Sequence, residues 1–161
     1  MKTGAEKLKV LFLCTGNSCR SQMAEGWTRH LKGDVIDAYS AGVEPHGMNL
    51  RAVKVMAEAG VELSGQASKH VDTLQGIAFD YVITLCDQAN ESCPFFPGKT
   101  RRLHMGFDDP PKLAAGCATE EEALQHYRRV RDEIKAFVEE LPEVLEGEQK
   151  AEGRGQMTED R

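Results

Sequence analysis

The sequence predicts a single α/β domain built on a parallel β-sheet that is flanked by helices. Two observations lead to this prediction. Short apolar segments alternate along the chain with segments whose apolar residues recur at helical spacing, and this alternation is typical of parallel sheets. The 161 residues, of which 40% are hydrophobic, suit one domain with one core.

Four segments have the length and the apolar character of buried strands. They are residues 9–13, 35–41 and 79–85, and a weaker segment at residues 100–104. In parallel sheets, ligands bind beyond the carboxyl ends of the strands. Cys14 and Cys86 begin the segments that follow the first and third strands, so we expect two cysteine clusters to meet at this edge of the sheet.

Three further segments show helical spacing of their apolar residues. The first covers residues 21–32, and the second covers residues 49–58, with Gly60 just past its end. The third begins after a capping signal, Thr119 followed three positions later by Glu122. The residues that we expect to face the core are Met23, Ala24, Trp27 and Leu31 in the first helix, Leu50, Val53, Met56 and Ala57 in the second, and Leu124, Tyr127, Val130, Ile134, Phe137, Val138 and Leu141 in the third.

Composition and charge predict the domain bounds, the cellular compartment and the partners that are excluded. We expect one domain at residues 1–146 and a polar, disordered tail at residues 147–161. No apolar run approaches the length of a membrane span, and the polar start has no signal-peptide core, so we expect a cytoplasmic protein that does not bind membranes. The net charge of −6 disfavours nucleic acid as a partner. A monomer is the default expectation.

Five cysteines are present, an odd number that does not suit structural disulfides in a reducing compartment. The spacing of Cys14 from Cys19, and of Cys86 from Cys93, is not that of a zinc site, and no Cys-x-x-Cys motif occurs. We therefore expect neither a metal nor a cofactor, and we assign the thiols to nucleophilic or redox chemistry.

Residues 14–21, Cys-Thr-Gly-Asn-Ser-Cys-Arg-Ser, join a predicted strand to a predicted helix. Such a loop directs several backbone N–H groups at one point, in front of the positive end of the helix dipole. Gly16 permits close approach, Asn17 tolerates a left-handed conformation, and Arg20 offers a planar fork for two oxygens of a tetrahedral anion. These groups should lower the pKa of Cys14 and hold a dianion in line for attack.

Residues 14–27 (CTGNSCRSQMAEGW) resemble the signature loop of low-molecular-weight protein-tyrosine phosphatases, and more closely that of the thioredoxin-coupled arsenate reductases built on the same fold. The resemblance covers most of the chain. It implies a four-stranded parallel sheet with helices on both faces, Cys14 as the nucleophile and Arg20 as an oxyanion ligand. It further implies an arsenate-binding loop that consists of Thr15, Gly16, Asn17, Ser18, Cys19, Arg20 and Ser21, in which Asn17 and Ser21 are supports and Ser21 can donate to the thiolate.

The resemblance also implies the remaining catalytic groups. In both families the acid that protonates the leaving group is the Asp before a Pro, which here is Asp109. The reductases use three cysteines, which match Cys14, Cys86 and Cys93 in residue type and in the gap between the last two. Cys14 would attack arsenic, and Cys86 would then form a disulfide with Cys14. Cys93 would attack Cys86, which frees Cys14 and forms the Cys86–Cys93 disulfide. Thioredoxin would reduce the last bond, although a glutaredoxin or a small thiol would also be competent.

The spacing of the second cysteine pair predicts a conformational change. Cys86 and Cys93 are seven positions apart, which is roughly 10 Å along a helix axis, whereas a disulfide needs Cα atoms within about 7 Å. We therefore expect a helix at residues 86–93 in the reduced protein that unwinds on oxidation. Asn90, Ser92 and Pro94 are poor helix-interior residues, which lowers the cost of unwinding.

One position departs from the reductase pattern. Several of these reductases bind a potassium ion near the loop through an Asn, a Glu, a Ser and an Asp. Asn17, Glu25 and Ser40 match three of these, but the fourth position falls at Lys69. An ammonium group can replace a cation but cannot bind one. We therefore expect no functional potassium site and an ion pair between Lys69 and Glu25.

Three other functions share part of this pattern. A low-molecular-weight tyrosine phosphatase has the loop and the acid, but it usually carries aromatic residues after the Asp-Pro, where Pro111-Lys112 stands here. It also needs neither Cys86 nor Cys93, although weak phosphatase activity is compatible with the loop. A non-catalytic phosphate-binding module needs no acid together with both cysteines, and a thiol redox sensor would show no arsenate turnover.

Overall fold

The computed structural model describes residues 7–91, 93–94, 96 and 98–145. In chain order the elements are β1 (Leu8–Cys14), α1 (Arg20–Lys32), β2 (Ile36–Gly42), α2 (Leu50–Glu58), a 3-10 helix (Val71–Leu74), β3 (Tyr81–Thr84), α3 (Asp87–Glu91), β4 (Arg101–His104), α4 (Pro110–Ala114) and α5 (Glu120–Glu139). All four predicted strands and all three predicted long helices are present, with ends that differ by one or two residues. The predicted tail, residues 147–161, and the domain boundary before it lie outside the described residues.

The four strands form one parallel sheet in the order β2-β1-β3-β4, as the sequence predicts. The register aligns the strand ends, because Cys14 lies opposite Gly42 in β2 and Leu13 lies opposite Thr84 in β3. The segments that follow β1, β2 and β3 therefore leave the sheet at the same edge, which is where a parallel α/β sheet binds its ligands.

The two faces of the sheet have separate apolar clusters, because side chains alternate along each strand. Val10 and Phe12 of β1 pack with residues of α1, α2 and α5, whereas Leu11 and Leu13 pack with residues of the 3-10 helix and α3. Helices thus cover both faces, as predicted. All seven residues of the predicted stripe are buried; six of them lie in α5, and Leu141 follows the end of this helix. None of the helices that the structure describes is long and apolar enough to cross a membrane.

The predicted apolar face of α2 is partly wrong, because Met56 is buried and Val53 packs against the core, but the other two predicted residues face solvent. The buried residues of this helix are Ala52, Val55 and Met56, whereas Leu50 is 81% exposed and Ala57 is exposed. The reason is a long-range contact that fixes the rotation of the helix. The Asn49 side chain accepts a hydrogen bond from the Ala52 amide and donates one to the Tyr127 hydroxyl of α5.

The predicted helix ends are confirmed. Gly60 follows α2 with a φ of +87°, and its amide bonds back to the Ala57 carbonyl. At the start of α5 the Thr119 hydroxyl accepts from the Glu122 amide at 3.1 Å. The Glu122 carboxylate accepts from the Ala118 amide rather than from the Thr119 amide, so the capping box is displaced by one residue.

Candidate active site

The loop between β1 and α1 is held by hydrogen bonds to its carbonyl groups. The carbonyls of Thr15, Gly16 and Ser18 accept bonds of 2.8, 2.8 and 3.0 Å from the amides of residues 44, 46 and 49, in the segment that follows β2. In a trans peptide the N–H points opposite to the carbonyl, so the next amides along the loop point away from this segment. This geometry supports the predicted cradle of main-chain N–H groups for an anion.

The loop lines a cavity of about 650 Å³ at the carboxyl edge of the sheet. Four of the five predicted catalytic residues line it, namely Cys14, Arg20, Cys86 and Asp109. The predicted loop residues Thr15, Gly16, Ser18 and Cys19 also line it, whereas Asn17 and Ser21 are fully buried. The structure thus brings together in one cavity the predicted nucleophile, the predicted acid and the predicted first partner of the relay.

Asn17 supports the loop in the way the sequence predicts. Its φ is +48°, a left-handed conformation. Its side-chain Nδ2 donates to the Ser21 hydroxyl at 2.8 Å, and its side-chain Oδ1 accepts from the Lys69 main-chain amide at 2.8 Å. Ser21 therefore serves as an acceptor in the support of the loop, and its donation to the Cys14 sulfur stays a prediction.

Arg20 connects the loop to the acid. Its Nη1 donates to the Phe107 carbonyl at 2.9 Å, and its Nη2 lies 3.5 Å from Asp109 Oδ1. The side chain is almost fully buried, and its Nε has no hydrogen-bond partner among the described residues. Because a buried donor without a partner is costly, we interpret Nε as a donor reserved for an oxygen of a bound anion.

Cys14 and Cys86 belong to one packed cluster beside the cavity, and the interaction of their thiols is a feature that the sequence does not reveal. Their hydrogen bond and the burial of Cys14 raise the pKa of Cys14, against the charge of Arg20. The same hydrogen bond lowers the pKa of Cys86 to about 5, with help from the Thr15 hydroxyl, 3.1 Å away. The predicted lowering of the Cys14 pKa is therefore wrong for this arrangement. The two thiols together carry one negative charge, and the two pKa shifts put that charge on the Cys86 sulfur.

The other thiols differ from this pair. Burial raises the pKa of Cys19 to about 12, which agrees with a structural thiol within the loop. Cys93 is partly buried, and burial raises its pKa. It does not line the cavity among the described residues. The helix α3, residues Asp87–Glu91, lies between Cys86 and Cys93 and matches the helix predicted for the reduced state, since all the cysteines are free.

We expect the Cys14–Cys86 pair to hold one thiolate down to about pH 5, because the folded pKa of Cys86 lies at about 5, below its ordinary value. The charge is then present above this pH and is lost as the pH falls through it. The ionisation of the pair can be measured by thiolate absorbance, or by the rate of alkylation as a function of pH. In Cys14→Ala the largest cause of the shift is gone, so the ionisation should move towards the ordinary value of about 8.5. An ordinary ionisation in the wild type would contradict the prediction.

Sequence reasoning missed several residues that line the cavity. They are His46, Gly47, Met48, Asn49 and Gln88. His46 packs against the loop so closely that a Cβ on Gly16 would lie 2.5 Å from its Nδ1, which explains the glycine. No motif marks these residues. For residues 46–49 the feature that could have identified them is their position, because they follow the carboxyl end of β2, where parallel sheets bind ligands.

The predicted ion pair between Lys69 and Glu25 is wrong, although Lys69 lies at the predicted place behind the loop. Its ammonium donates to the carbonyls of Ser40 and Ala67 at 3.0 and 2.8 Å. Glu25 instead pairs with Arg29 at 2.6 Å and accepts from the Ser40 hydroxyl at 2.6 Å. Burial lowers the pKa of Lys69, and the charge of Glu25 opposes that shift.

We expect the wild-type activity not to depend on potassium, because the Lys69 ammonium already binds two carbonyl groups behind the loop. Lys69→Met leaves those carbonyls without a cation, so kcat/KM should fall about tenfold and added potassium should restore part of it. Rates in sodium and potassium buffers test this, with exposed Lys54→Met as the control. A clear potassium dependence of the wild type would refute it.

The sequence model of the low molecular weight phosphotyrosine protein phosphatase family matches residues 9–151. An arsenate reductase of Bacillus licheniformis is 50% identical over 140 residues, which are 87% of this chain and 99% of that protein. The solved structure of an arsenate reductase in the phosphate binding state superposes with a TM-score of 0.64 at 31% identity, over 83% of this chain and 95% of that one. A low molecular weight protein tyrosine phosphatase from T. tengcongensis superposes with a TM-score of 0.63 at 28% identity, over 85% of this chain and 99% of that one.

The parallel sheet, the loop that begins at Cys14 and the family match define the class. The chain belongs to the low molecular weight phosphotyrosine protein phosphatase family. Within that family it belongs with the arsenate reductases, to which it is about half identical over most of its length. The predicted fold and the resemblance to these reductases are thereby confirmed.

Proposed function

We propose that this chain reduces arsenate to arsenite, with Cys14, Cys86 and Cys93 as the thiol relay and thioredoxin as the reductant. The observation that carries the proposal is the meeting of Cys14 and Cys86 in one cavity with Arg20 and Asp109. Reduction needs two electrons, and two adjacent thiols that share one negative charge can supply them as a disulfide forms.

The first step is attack of the Cys14 sulfur on arsenic. The proton of Cys14 moves along the hydrogen bond to Cys86, because the pair holds one charge in total. A sulfur–arsenic bond forms, one arsenic–oxygen bond breaks, and Asp109 donates a proton so that hydroxide leaves as water. Asp109 is partly exposed and lies 3.5 Å from Arg20, so it can take a proton from solvent for each turnover. Loop amides and Arg20 hold the three oxygens that remain on arsenic.

The second step transfers the electrons. Cys86, again deprotonated, attacks the Cys14 sulfur, so that a sulfur–sulfur bond forms and the sulfur–arsenic bond breaks. The electron pair of the broken bond stays on arsenic, which falls from the +5 to the +3 state, and arsenite leaves. Since Cys14 and Cys86 line the same cavity and belong to the same packed cluster before the reaction, this attack needs only a short movement.

The third step passes the disulfide outwards. The Cys93 thiolate attacks the Cys86 sulfur, and Cys14 leaves as a thiolate, ready for another arsenate. A thioredoxin dithiol then reduces the Cys86–Cys93 bond and becomes a disulfide itself, which balances the two electrons given to arsenic. Cys93 is more exposed than Cys14 and Cys86, which favours access of a protein reductant to this end of the relay.

The lining of the cavity disfavours a tyrosine phosphatase as the main function. Pro111 and Lys112 follow the acid, and no Phe, Tyr or Trp is among the described residues that line the cavity. A phenol ring would find no aromatic side chain to stack on, whereas a small inorganic oxyanion needs none. Weak phosphatase activity is part of the proposal, because arsenate and phosphate share shape and charge. We further propose a cytoplasmic monomer.

An assay with arsenate, thioredoxin, thioredoxin reductase and NADPH tests the proposal. We expect one NADPH oxidised for each arsenite formed, and no oxidation with Cys14→Ser. Replacing thioredoxin by glutathione and glutaredoxin identifies the reductant. If arsenate stimulated NADPH oxidation with neither system, the proposed function would be excluded.

A further inference from the structure

The short helix α3 stands between the two cysteines that must form the last disulfide of the proposed relay. Its amide ladder is short, and the Asn90 amide bonds back to the Cys86 carbonyl at 3.1 Å. Asp87 and Gln88 are exposed, and Ala89 alone of its residues is buried, in the cluster with Leu11 and Leu13. A helix of this length is not stable by itself, so contacts with other elements must hold it.

Two side chains of β4 supply these contacts. The Arg102 guanidinium donates to the Asn90 main-chain carbonyl and, at 3.2 Å, to the Asn90 side-chain oxygen. The His104 Nε2 lies 3.3 Å from Asp87 Oδ1, and its Nδ1 shares a hydrogen bond of 2.8 Å with the buried Thr84 hydroxyl. Residues two apart on a strand lie on the same face, so β4 contacts the helix near both of its ends.

The contact with Arg102 also suits the end of the helix at which it lies. The last carbonyls of a helix have no partner within the helix, and that end carries a partial negative charge. A guanidinium there satisfies a free carbonyl and complements the charge. Arg102 is near enough to Cys93 for its charge to oppose the effect of burial on the pKa of that thiol. It therefore lies between the segment that must unwind and the thiol that must attack.

The helix α3 covers five of the six residues between Cys86 and Cys93. Helical spacing over the whole segment would hold the two Cα atoms roughly 10 Å apart, farther than a disulfide allows, so we expect α3 to unwind before the Cys86–Cys93 bond forms. Unwinding of α3 moves the Asn90 carbonyl and the Asp87 carboxylate, which are the groups that Arg102 and His104 hold. The contacts from β4 must therefore break before the third step.

We propose that Arg102, assisted by His104, is a latch that holds α3 in its helical reduced form, and that release of this latch controls the rate of the transfer of the disulfide from Cys14–Cys86 to Cys86–Cys93. The proposal rests on the proposed arsenate reduction. Arg102 and His104 are positioning residues, since they act through α3 and touch neither the anion nor the reacting sulfurs.

The test is a single turnover of the full chain with arsenate and no thioredoxin, quenched by acid and alkylation, with both disulfides measured by mass spectrometry. In Arg102→Ala the conversion to Cys86–Cys93 should be about tenfold faster, while formation of Cys14–Cys86 stays within about twofold of the wild type. Arg102→Lys should restore most of the slow conversion, and Arg102→Ala combined with His104→Gln should be faster than Arg102→Ala. Exposed Lys99→Ala removes the same charge nearby and should change neither rate.

A second measurement does not depend on arsenate. Amide exchange of residues 87–91 in the reduced protein should be about tenfold faster in Arg102→Ala than in the wild type. An unchanged or slower conversion in Arg102→Ala, or unchanged amide exchange, would overturn the latch. If the wild type formed no disulfide with arsenate, the proposed function would fail, and the exchange result would still decide whether Arg102 holds α3.

Discussion

Replacing Cys86 with serine should stop arsenite formation, by at least about a thousandfold, while hydrolysis of an aryl phosphate continues. The serine hydroxyl cannot form a sulfur–sulfur bond with Cys14, so the electron pair has no route to arsenic. The phosphatase reaction needs only the nucleophile, the anion loop and the acid, and all of these remain.

The phosphatase rate of this variant should even rise at neutral pH. In the wild type the hydrogen bond with Cys86 is the largest cause that raises the pKa of Cys14, ahead of burial, whereas Arg20 lowers it. A serine hydroxyl carries no negative charge at neutral pH, so in the variant this cause is absent and the pKa of Cys14 falls relative to the wild type. The fraction of reactive Cys14 thiolate therefore increases.

The matched control is Cys117→Ser. Cys117 is partly buried, donates to the Leu113 carbonyl at 3.6 Å and does not line the cavity, so both activities should stay unchanged. Arsenite formation and aryl phosphate hydrolysis are measured side by side on the same preparations. Sustained arsenite formation by Cys86→Ser with thioredoxin would show that the electrons take another route, and the relay would be wrong.

The sequence was sufficient to predict those features of the site that depend on neighbouring residues in the chain. The loop that begins at Cys14 lies between a strand and a helix, and the left-handed Asn17 is set by the turn itself. The meeting of the Cys14 and Cys86 segments follows from the parallel sheet, since Leu13 lies opposite Thr84. These features need only local patterns and the topology of the sheet.

The features that the sequence did not predict depend on distances between segments far apart in the chain. The pKa of Cys14 is raised rather than lowered because its thiol interacts with the Cys86 sulfur, which accepts its proton, and no spacing in the sequence reveals this interaction. Glu25 pairs with Arg29 one turn away in the same helix, so Lys69 binds carbonyl groups instead. The rotation of α2 is set by a hydrogen bond between Asn49 and Tyr127. In each case side-chain contacts across the fold choose among alternatives that the sequence leaves open.

Replacing Arg20 with lysine should lower kcat/KM for arsenate by about 10²- to 10³-fold. Arg20 donates to the Phe107 carbonyl at 2.9 Å, lies 3.5 Å from Asp109 and keeps Nε without a partner for the anion. A lysine ammonium has one nitrogen and no planar fork, so it cannot make these contacts together. Arg29→Lys, on the same helix with a largely exposed side chain, is the matched control and should change the rate less than threefold (about 0.6 kcal/mol).

The two large effects are distinguishable because they act at different steps. In the proposed mechanism Arg20 binds the anion before any sulfur is oxidised, so Arg20→Lys should lower arsenate reduction and aryl phosphate hydrolysis by similar factors. Cys86 gives its electrons only after the covalent adduct exists, so Cys86→Ser should separate the two activities. Inhibition by inorganic phosphate gives an independent measure of the anion site, and it should weaken in Arg20→Lys. Unchanged phosphate inhibition in that variant would mean that the loop amides bind the anion without the guanidinium, and that Arg20 acts mainly through Asp109.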